Sequence, residues 1–207
     1  DAQRAELMLD ELAAFLRAAL PRLRSARSTL EIELDLVRSY VRLLRWCADV
    51  TGAFLHAQIT AGASVAQLFD SWVGSLSREQ YEHRVAPFSA LALTHLDGLE
   101  VPRTHFGVGS GEVLDLMAQV GVDAVGVDWR IPLHEASRRL GHRVPVQGNI
   151  DPAVLAAPWP VIQAHVEQVL ESGKAAPAHV VNLGHGVPPE TDPDVLTRIV
   201  SLVHGEQ

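Results

Sequence analysis

The sequence predicts an α/β protein built on a parallel sheet, and three observations carry that reading. Short apolar runs alternate with segments of helical period from about residue 63 to the end of the chain. The runs are spaced as strands joined by helical crossovers, which places them side by side and parallel. Each run also ends in a polar residue next to a glycine, a proline or an aromatic. The last unit is the most legible. Val180-Val181 leads into Asn182-Leu183-Gly184-His185-Gly186, and prolines at 188, 189 and 193 forbid a continued strand. Asp192 followed by Pro193 reads as a helix start, an acceptor at the cap and then a residue that needs no N–H in the first turn. Val195, Leu196, Ile199, Val200 and Val203 follow at helical spacing. His185 is thereby left at the carboxyl end of a strand, where parallel sheets keep their ligands.

Taken in order, residues 3–20 predict a helix, with Leu7, Leu9, Leu12, Phe15, Leu16 and Leu20 as its apolar positions and Pro21 as its end. Residues 22–35 carry arginines and then Glu31, Glu33 and Asp35, a solvated face with no motif. A second helix is expected from about Leu36 to Thr60, with Tyr40, Leu44, Cys47, Phe54, Leu55 and Ile59 as its buried stripe. Cys47 in that stripe reads as a small core residue rather than a nucleophile. Five strands are then expected at 63–70, 101–107, 123–129, 144–150 and 179–183. Helices at 78–96, 111–120, 133–140 and 160–173 separate them, and a last one follows Asp192. Five strand–helix units fit an open doubly wound sheet, and they equally fit the last five units of a (β/α)8 barrel.

Composition narrows the function. With 47% hydrophobic residues the chain can bury a sizeable core, and a net charge of −8 without a basic block makes nucleic acid a poor partner. The single cysteine excludes an intrachain disulfide and a multi-cysteine metal site. No apolar run approaches the ~20 residues of a membrane span, and no signal-peptide pattern is present, so a cytoplasmic location is the expectation. The chain opens on Asp1 rather than methionine, as a fragment or a processed product would.

The strand ends hold the candidate chemistry: Asp70-Ser71-Trp72, His105-Phe106-Gly107, Asp128-Trp129-Arg130, Gln147-Gly148-Asn149 and His185. In a parallel sheet all five point the same way and can converge on one pocket. Asp70 and Asp128 have a second reading as caps of turns or helices. Gly107-Val108-Gly109-Ser110-Gly111 lacks dinucleotide-loop spacing, since Glu112 stands where the third glycine belongs, and it reads as a tight turn. His105, His134, His142 and His185 are too scattered for a zinc motif. A triad of Ser71, His185 and either Asp70 or Asp128 lacks the G-x-S-x-G elbow.

Five of these blocks, in this order, resemble the uroporphyrinogen decarboxylase family: Gln67-Leu68-Phe69-Asp70-Ser71-Trp72, His105-Phe106-Gly107-Val108-Gly109, Val125-Gly126-Val127-Asp128-Trp129, Gln147-Gly148-Asn149-Ile150-Asp151-Pro152 and Asn182-Leu183-Gly184-His185-Gly186. The resemblance runs from about residue 40 to the C-terminus; the domain expected is residues 36–207, with 1–35 as a helical segment outside it. It implies a (β/α)8 TIM-barrel fold of which these are the last five strand–helix units. It further implies a cofactor-free, cytoplasmic, homodimeric enzyme that removes the four acetate carboxyl groups of the tetrapyrrole uroporphyrinogen III to give coproporphyrinogen III. Carried over residue by residue, Phe69 resembles the family's pocket-wall phenylalanine, Ser71 a serine that hydrogen-bonds substrate carboxylate, and His185 the histidine at the rim of the tetrapyrrole cleft. Asp70, Asp128, Arg130 and Gln147 are further candidates, and no catalytic residue is assigned.

The family's N-terminal blocks have no counterpart here: an Arg-Gln-Ala-Gly-Arg segment, a Phe-Ser-Asp strand end whose aspartate binds the pyrrole nitrogens, and a tyrosine-bearing segment. Two other readings follow. One is a barrel remnant that binds a porphyrinogen or a partner chain without catalysis. The other is a related cobamide-dependent methyltransferase, disfavoured because that group resembles a His-x-Cys zinc motif where this chain has His105-Phe106-Gly107.

Overall fold

The computed structural model describes residues 30–205 and, ahead of them, Ala13. The helix expected over 3–20 lies outside the described residues, as do the arginines of 22–29. The first described element is a long helix, α1 (Leu30–Thr60), so residues 30–35 are part of it. Five strands follow, β1 (Ala66–Asp70), β2 (Arg103–Gly107), β3 (Ala124–Gly126), β4 (Val146–Ile150) and β5 (His179–Leu183). Between them lie α2 (Arg78–Arg84), α3 (Ala86–Thr94), α4 (Leu114–Ala118), α5 (Leu133–Arg139) and α6 (Trp159–Gly173), and α7 (Pro193–His204) closes the chain.

The strands are all parallel and lie in sequential order, β1-β2-β3-β4-β5. That order settles the two readings left open by periodicity. A doubly wound sheet reverses its strand order at a switch point and carries helices on both faces. Here the order never reverses, and right-handed crossovers in one direction put every helix on the same face. The other face is the concave side of a (β/α)-barrel arc. Gln147 on β4 donates to Gln67 on β1 at 3.1 Å, although two strands separate them. Upright side chains on a flat sheet would stand about 14 Å apart over three strand spacings; a concave face makes them converge.

Strand alternation sorts the side chains. Ala66 and Leu68, Val125 and Val127, and Val146 and Ile150 face the helices, in two apolar clusters. The larger lies beneath β3, β4 and β5 and reaches from Val73 to Ile199; the smaller joins Leu55, Ala66, Leu68, Leu93, Leu96 and Val120. His105 is fully buried on this same side, and its strand register sets it between Leu68 and Val125, one from each cluster.

Several expected boundaries move for local reasons. The helix expected over 78–96 is two helices that break at Val85, because Pro87 cannot donate into a continuing ladder and instead sits in the first turn of α3. α2 starts with a capping box, the Ser77 side chain accepting from Gln80 N–H and the Gln80 side chain accepting from Ser77 N–H. The Asp192-Pro193 start of α7 is as expected, Asp192 accepting from Asp194 N–H at 3.0 Å, and Gly205 ends the helix in the left-handed region. The buried stripe of α1 is a correction. Cys47 is exposed and Phe54 is 63% exposed, whereas Ala48, Gly52 and Leu55 are buried. Gly52 decides this, since a Cβ there would stand 2.5 Å from the Ala92 carbonyl oxygen: the helix meets α3 along the glycine face, and Cys47 and Phe54 fall outside it.

Candidate functional site

The concave face opens at the carboxyl ends of the strands into a cleft of about 370 Å³. Phe69 of β1 and Ser71 just beyond it form one wall, and Asn182, Leu183, His185, Gly186 and Val187 of β5 and its exit loop form the other. Gln67, Phe106 and Gln147 make the floor. Of the candidates, Phe69, Ser71, Gln147 and His185 therefore share one cavity. Gln147 is the second residue of β4 and pairs with Gly126 and Val180, so it lies deeper than a strand end. Gln67, Phe106 and Asn182 stand within the quoted strand-end blocks but had no role assigned from the sequence. The signal for Gln67 was its two-residue offset from Phe69, which puts both on one face.

His185 is held by its own loop. Its Nδ1 accepts the Gly186 N–H at 2.5 Å, so the neutral ring carries its proton on Nε2, a donor available to a ligand. Its ring stands edge-on to Phe106, 6.5 Å between centroids, and tilted 6.3 Å from Trp129. Phe106 in turn meets Phe69 edge to face at 5.9 Å. These contacts form an aromatic floor leading from β1 to His185. Gly184 makes the approach possible, because a Cβ there would lie 2.6 Å from the Trp129 backbone nitrogen. The glycine before His185 lets the β5 exit loop sit against the β3 exit loop. Among the described residues no hydrogen bond joins Ser71 to His185, so the triad has no geometry here.

The two strand-end aspartates part company. Asp128, 1% exposed, does not line the cleft. Its carboxylate accepts the Gly109 N–H at 2.7 Å, the Arg130 backbone N–H at 3.3 Å and the Arg130 guanidinium. It is a loop lock, the capping role that its sequence position also allowed. Arg130, stacked 4.1 Å over the Trp129 ring, is occupied in the same lock. Asn149 completes it, donating to the carbonyls of Asp128 at 3.1 Å and Ile131 at 2.5 Å. The Gly107–Gly111 run is the tight turn expected, with Gly109 at φ +70° and its N–H given to Asp128. Asp70 follows the parity of Leu68 and lies on the helix side, outside the cleft, where burial raises its pKa above the ordinary carboxylate value.

The cleft is thus a concave, partly aromatic surface with a hydroxyl, three amides and an imidazole around it, and no fixed positive charge among its lining residues. It suits a flat apolar ring system carrying hydrogen-bonding substituents. Comparison with known proteins gives this arrangement a family. Residues 30–206 match the family model of uroporphyrinogen decarboxylase (URO-D). The chain belongs to the uroporphyrinogen decarboxylase family. Among similar proteins is the uroporphyrinogen decarboxylase of Arthrobacter sp. (strain FB24), 62% identical over 162 residues, which are 78% of this chain and 47% of that protein. That of Leifsonia xyli subsp. xyli (strain CTCB07) is 58% identical over 183 residues, covering 81% of this chain and 48% of its own. That of Thermobifida fusca (strain YX) is 53% identical over 165 residues, covering 80% and 46%. The chain therefore spans about half the length of these curated relatives. The family match begins at the first residue of α1, some way ahead of the blocks that carry the resemblance. Among the described residues no helix is long and apolar enough to cross a membrane.

Proposed function

We propose that this chain forms the carboxyl-terminal wall of a uroporphyrinogen decarboxylase cleft, with Phe69 and Phe106 against the tetrapyrrole face and Ser71 and His185 at its carboxylates. The observation that carries the reading is the convergence of Phe69, Ser71 and His185, from opposite edges of the arc, on one cavity. The chemistry asks for such a surface. A proton added to a pyrrole carbon makes the ring an electron sink. The bond from the acetate methylene to its carboxyl carbon then breaks, CO2 leaves, and the electron pair neutralises the ring. A second proton adds to the exposed methylene as the ring proton departs, so each acetate takes up one proton net and becomes a methyl group. What the wall contributes is orientation of the carboxylate by Ser71 Oγ–H and His185 Nε2–H in a pocket with little water.

Neither strand-end aspartate stands in for a group that would stabilise the ring cation, since Asp128 is bound into its loop and Asp70 faces the helices. Loss of such a group costs roughly 10²–10³ in rate. The 207-residue chain alone is therefore expected to be nearly inactive, and its activity belongs to the completed fold. The test is anaerobic turnover of uroporphyrinogen III by the chain joined to the half of a relative that it does not span. Ser71→Ala and His185→Ala should each lower turnover of the joined protein, and full turnover in both would sink the site assignment. Robust conversion by the chain alone would show that Asp70 or another group here replaces the missing aspartate. Cytoplasmic location and homodimer formation are part of the same proposal, the latter read directly by the solution mass of the joined protein.

A further inference from the structure

Ser71 and His185 line opposite walls of the cleft, and each sits on an exit loop rather than on a strand. What fixes the distance between them is therefore the packing of loop on loop. The loop after β1 runs from Ser71 into a single 3-10 turn, Val73–Ser75. Within it Gly74 donates its N–H to the Val108 carbonyl at 3.0 Å. A Cβ on Gly74 would stand 2.6 Å from that oxygen and 2.9 Å from the Gly109 Cα, so this loop lies backbone to backbone on the turn after β2. Asp128 holds that turn in place by accepting the Gly109 N–H at 2.7 Å. On the other side the backbone of Asp128 and Trp129 meets the β5 exit loop, where a Cβ on Gly184 would stand 3.2 Å from the Asp128 carbonyl carbon. Gly184 directly precedes His185, whose ring tilts against Trp129. Both loops thus lean on Asp128, one through its carboxylate and the other through its backbone.

We propose that Asp128 is a positioning residue for the decarboxylation, setting the span between Ser71 and His185 without touching substrate. The inference rests on the reading of those two side chains as carboxylate ligands given above. Three features separate Asp128 from a catalytic group. It is buried and does not line the cleft. Both of its oxygens are engaged, Oδ2 by the Gly109 N–H and the Arg130 guanidinium and Oδ1 by the Arg130 backbone N–H. The Arg130 guanidinium also neutralises the charge, which would otherwise repel a polycarboxylate from the neighbouring cleft. A carboxylate suits the place because one short side chain must take donors from two loops at once, through charge-assisted bonds. Position matters for this reaction. The bond to be broken must stand across the plane of the ring, so that its electron pair enters the π system, and that angle depends on where Ser71 and His185 grip the carboxylate. A misplacement of ~1 Å can cost roughly 10²-fold in rate.

Two substitutions separate position from charge. Asp128→Asn loses the charge and keeps an acceptor in the place of Oδ2, whereas Asp128→Glu keeps the charge and pushes the acceptor further into the Gly109 turn. In amide NMR spectra of the full chain, Asp128→Glu should shift the signals of Ser71, Gly74 and Gly184 to Gly186, and Asp128→Asn should leave them near their wild-type places. In the joined protein described above, Asp128→Glu should lower kcat for uroporphyrinogen III about 10²-fold with KM changed less than about threefold, because the grip on the carboxylate remains while its angle is lost. Asp128→Asn should recover kcat to within about tenfold of the wild type. In a Ser71→Ala background Asp128→Glu should cost far less, since the group it positions is gone. Circular dichroism of each variant checks its fold. If Asp128→Glu does not fold, Gly74→Ala presses the same loop off Val108 from the other side and takes its place with the same expectations. Amide shifts confined to Gly109 and Arg130, an Asn variant slower than the Glu variant, or equal losses with and without Ser71 would overturn the inference. Full turnover in both Ser71→Ala and His185→Ala would instead remove the functional reading, and amide shifts reaching both loops would still assign Asp128 the span between them.

Discussion

Acid should loosen this fold through His105. The side chain has no exposed surface, neither ring nitrogen has a hydrogen-bond partner, and burial lowers its pKa to about 4, opposed only by a contact with the Met117 backbone that falls short of a hydrogen bond. In the unfolded chain the same ring takes its proton near 6.5. Below that pH the unfolded state binds a proton that the folded state refuses, so stability is fully present above pH ~6.5 and is lost as pH falls toward ~4. At ~1.4 kcal/mol per unit the loss is roughly 1 kcal/mol by pH 5.5 and roughly 2–3 kcal/mol by pH 4.5. That is a large share of the 5–15 kcal/mol, roughly, that a domain possesses. Carboxylates also titrate in this range, so the assay needs a reference that shares them. His105→Phe keeps a ring in the cavity and removes the titration; with both nitrogens unbonded it leaves no partner stranded. Urea midpoints of both proteins at pH 7.5, 5.5 and 4.5 give the difference directly. The wild type should lose roughly 2–3 kcal/mol more than the variant by pH 4.5. Parallel losses, within ~0.5 kcal/mol, would mean that the folded state admits the proton and that the argument from burial fails.

Asp70 should act with the opposite sign. Its pKa is raised by burial, so the folded state prefers the protonated acid and loses stability as pH rises past the ordinary value; Asp70→Asn should raise the thermal midpoint of the chain alone at pH 7 and bring no gain near pH 3. Gly184→Ala drives a Cβ to 2.6 Å from the Trp129 backbone and should cost about 1–3 kcal/mol, whereas Gly186→Ala, with nothing within 4 Å, should be nearly silent; equal midpoints for the two would contradict the close approach of the loops. Asn149→Ala strips donors from the carbonyls of Asp128 and Ile131 and should cost roughly 1–3 kcal/mol in chemical denaturation. The exposed Arg78–Asp115 pair, close as it is, should matter far less, and a denaturation midpoint for Arg78→Ala close to that of the wild type would bear that out.

Much of this architecture was readable in advance. β5 spans the residues its apolar run suggested, and the Asp192-Pro193 cap starts α7 where local chemistry demanded. What eluded the sequence did so for definable reasons. α1 has apolar residues on several faces, Val37, Val41, Val50 and Phe54 among the exposed ones, so its period could not identify the face that Gly52 opens to α3. Asp70 and Asp128 both lie close before a tryptophan at a strand end and look interchangeable as letters. Strand parity and the neighbouring loop separate them, one bound by Gly109 and Arg130, the other unpaired behind Ser71. Gln67 and Gln147 carry no catalytic signature, and only the curvature of the sheet brings them together.

That Gln67–Gln147 contact works like the tie-rod of an arch. A sheet is free to uncoil into a flatter ribbon when nothing spans it, and a cleft built on its concave face would then open with it. Here the chord between β1 and β4 holds the curvature within the five strands themselves. The span between Phe69 on one edge and His185 on the other is thereby set by a contact between side chains of the arc, and a ligand entering the cleft is spared the conformational cost of rolling the sheet around it.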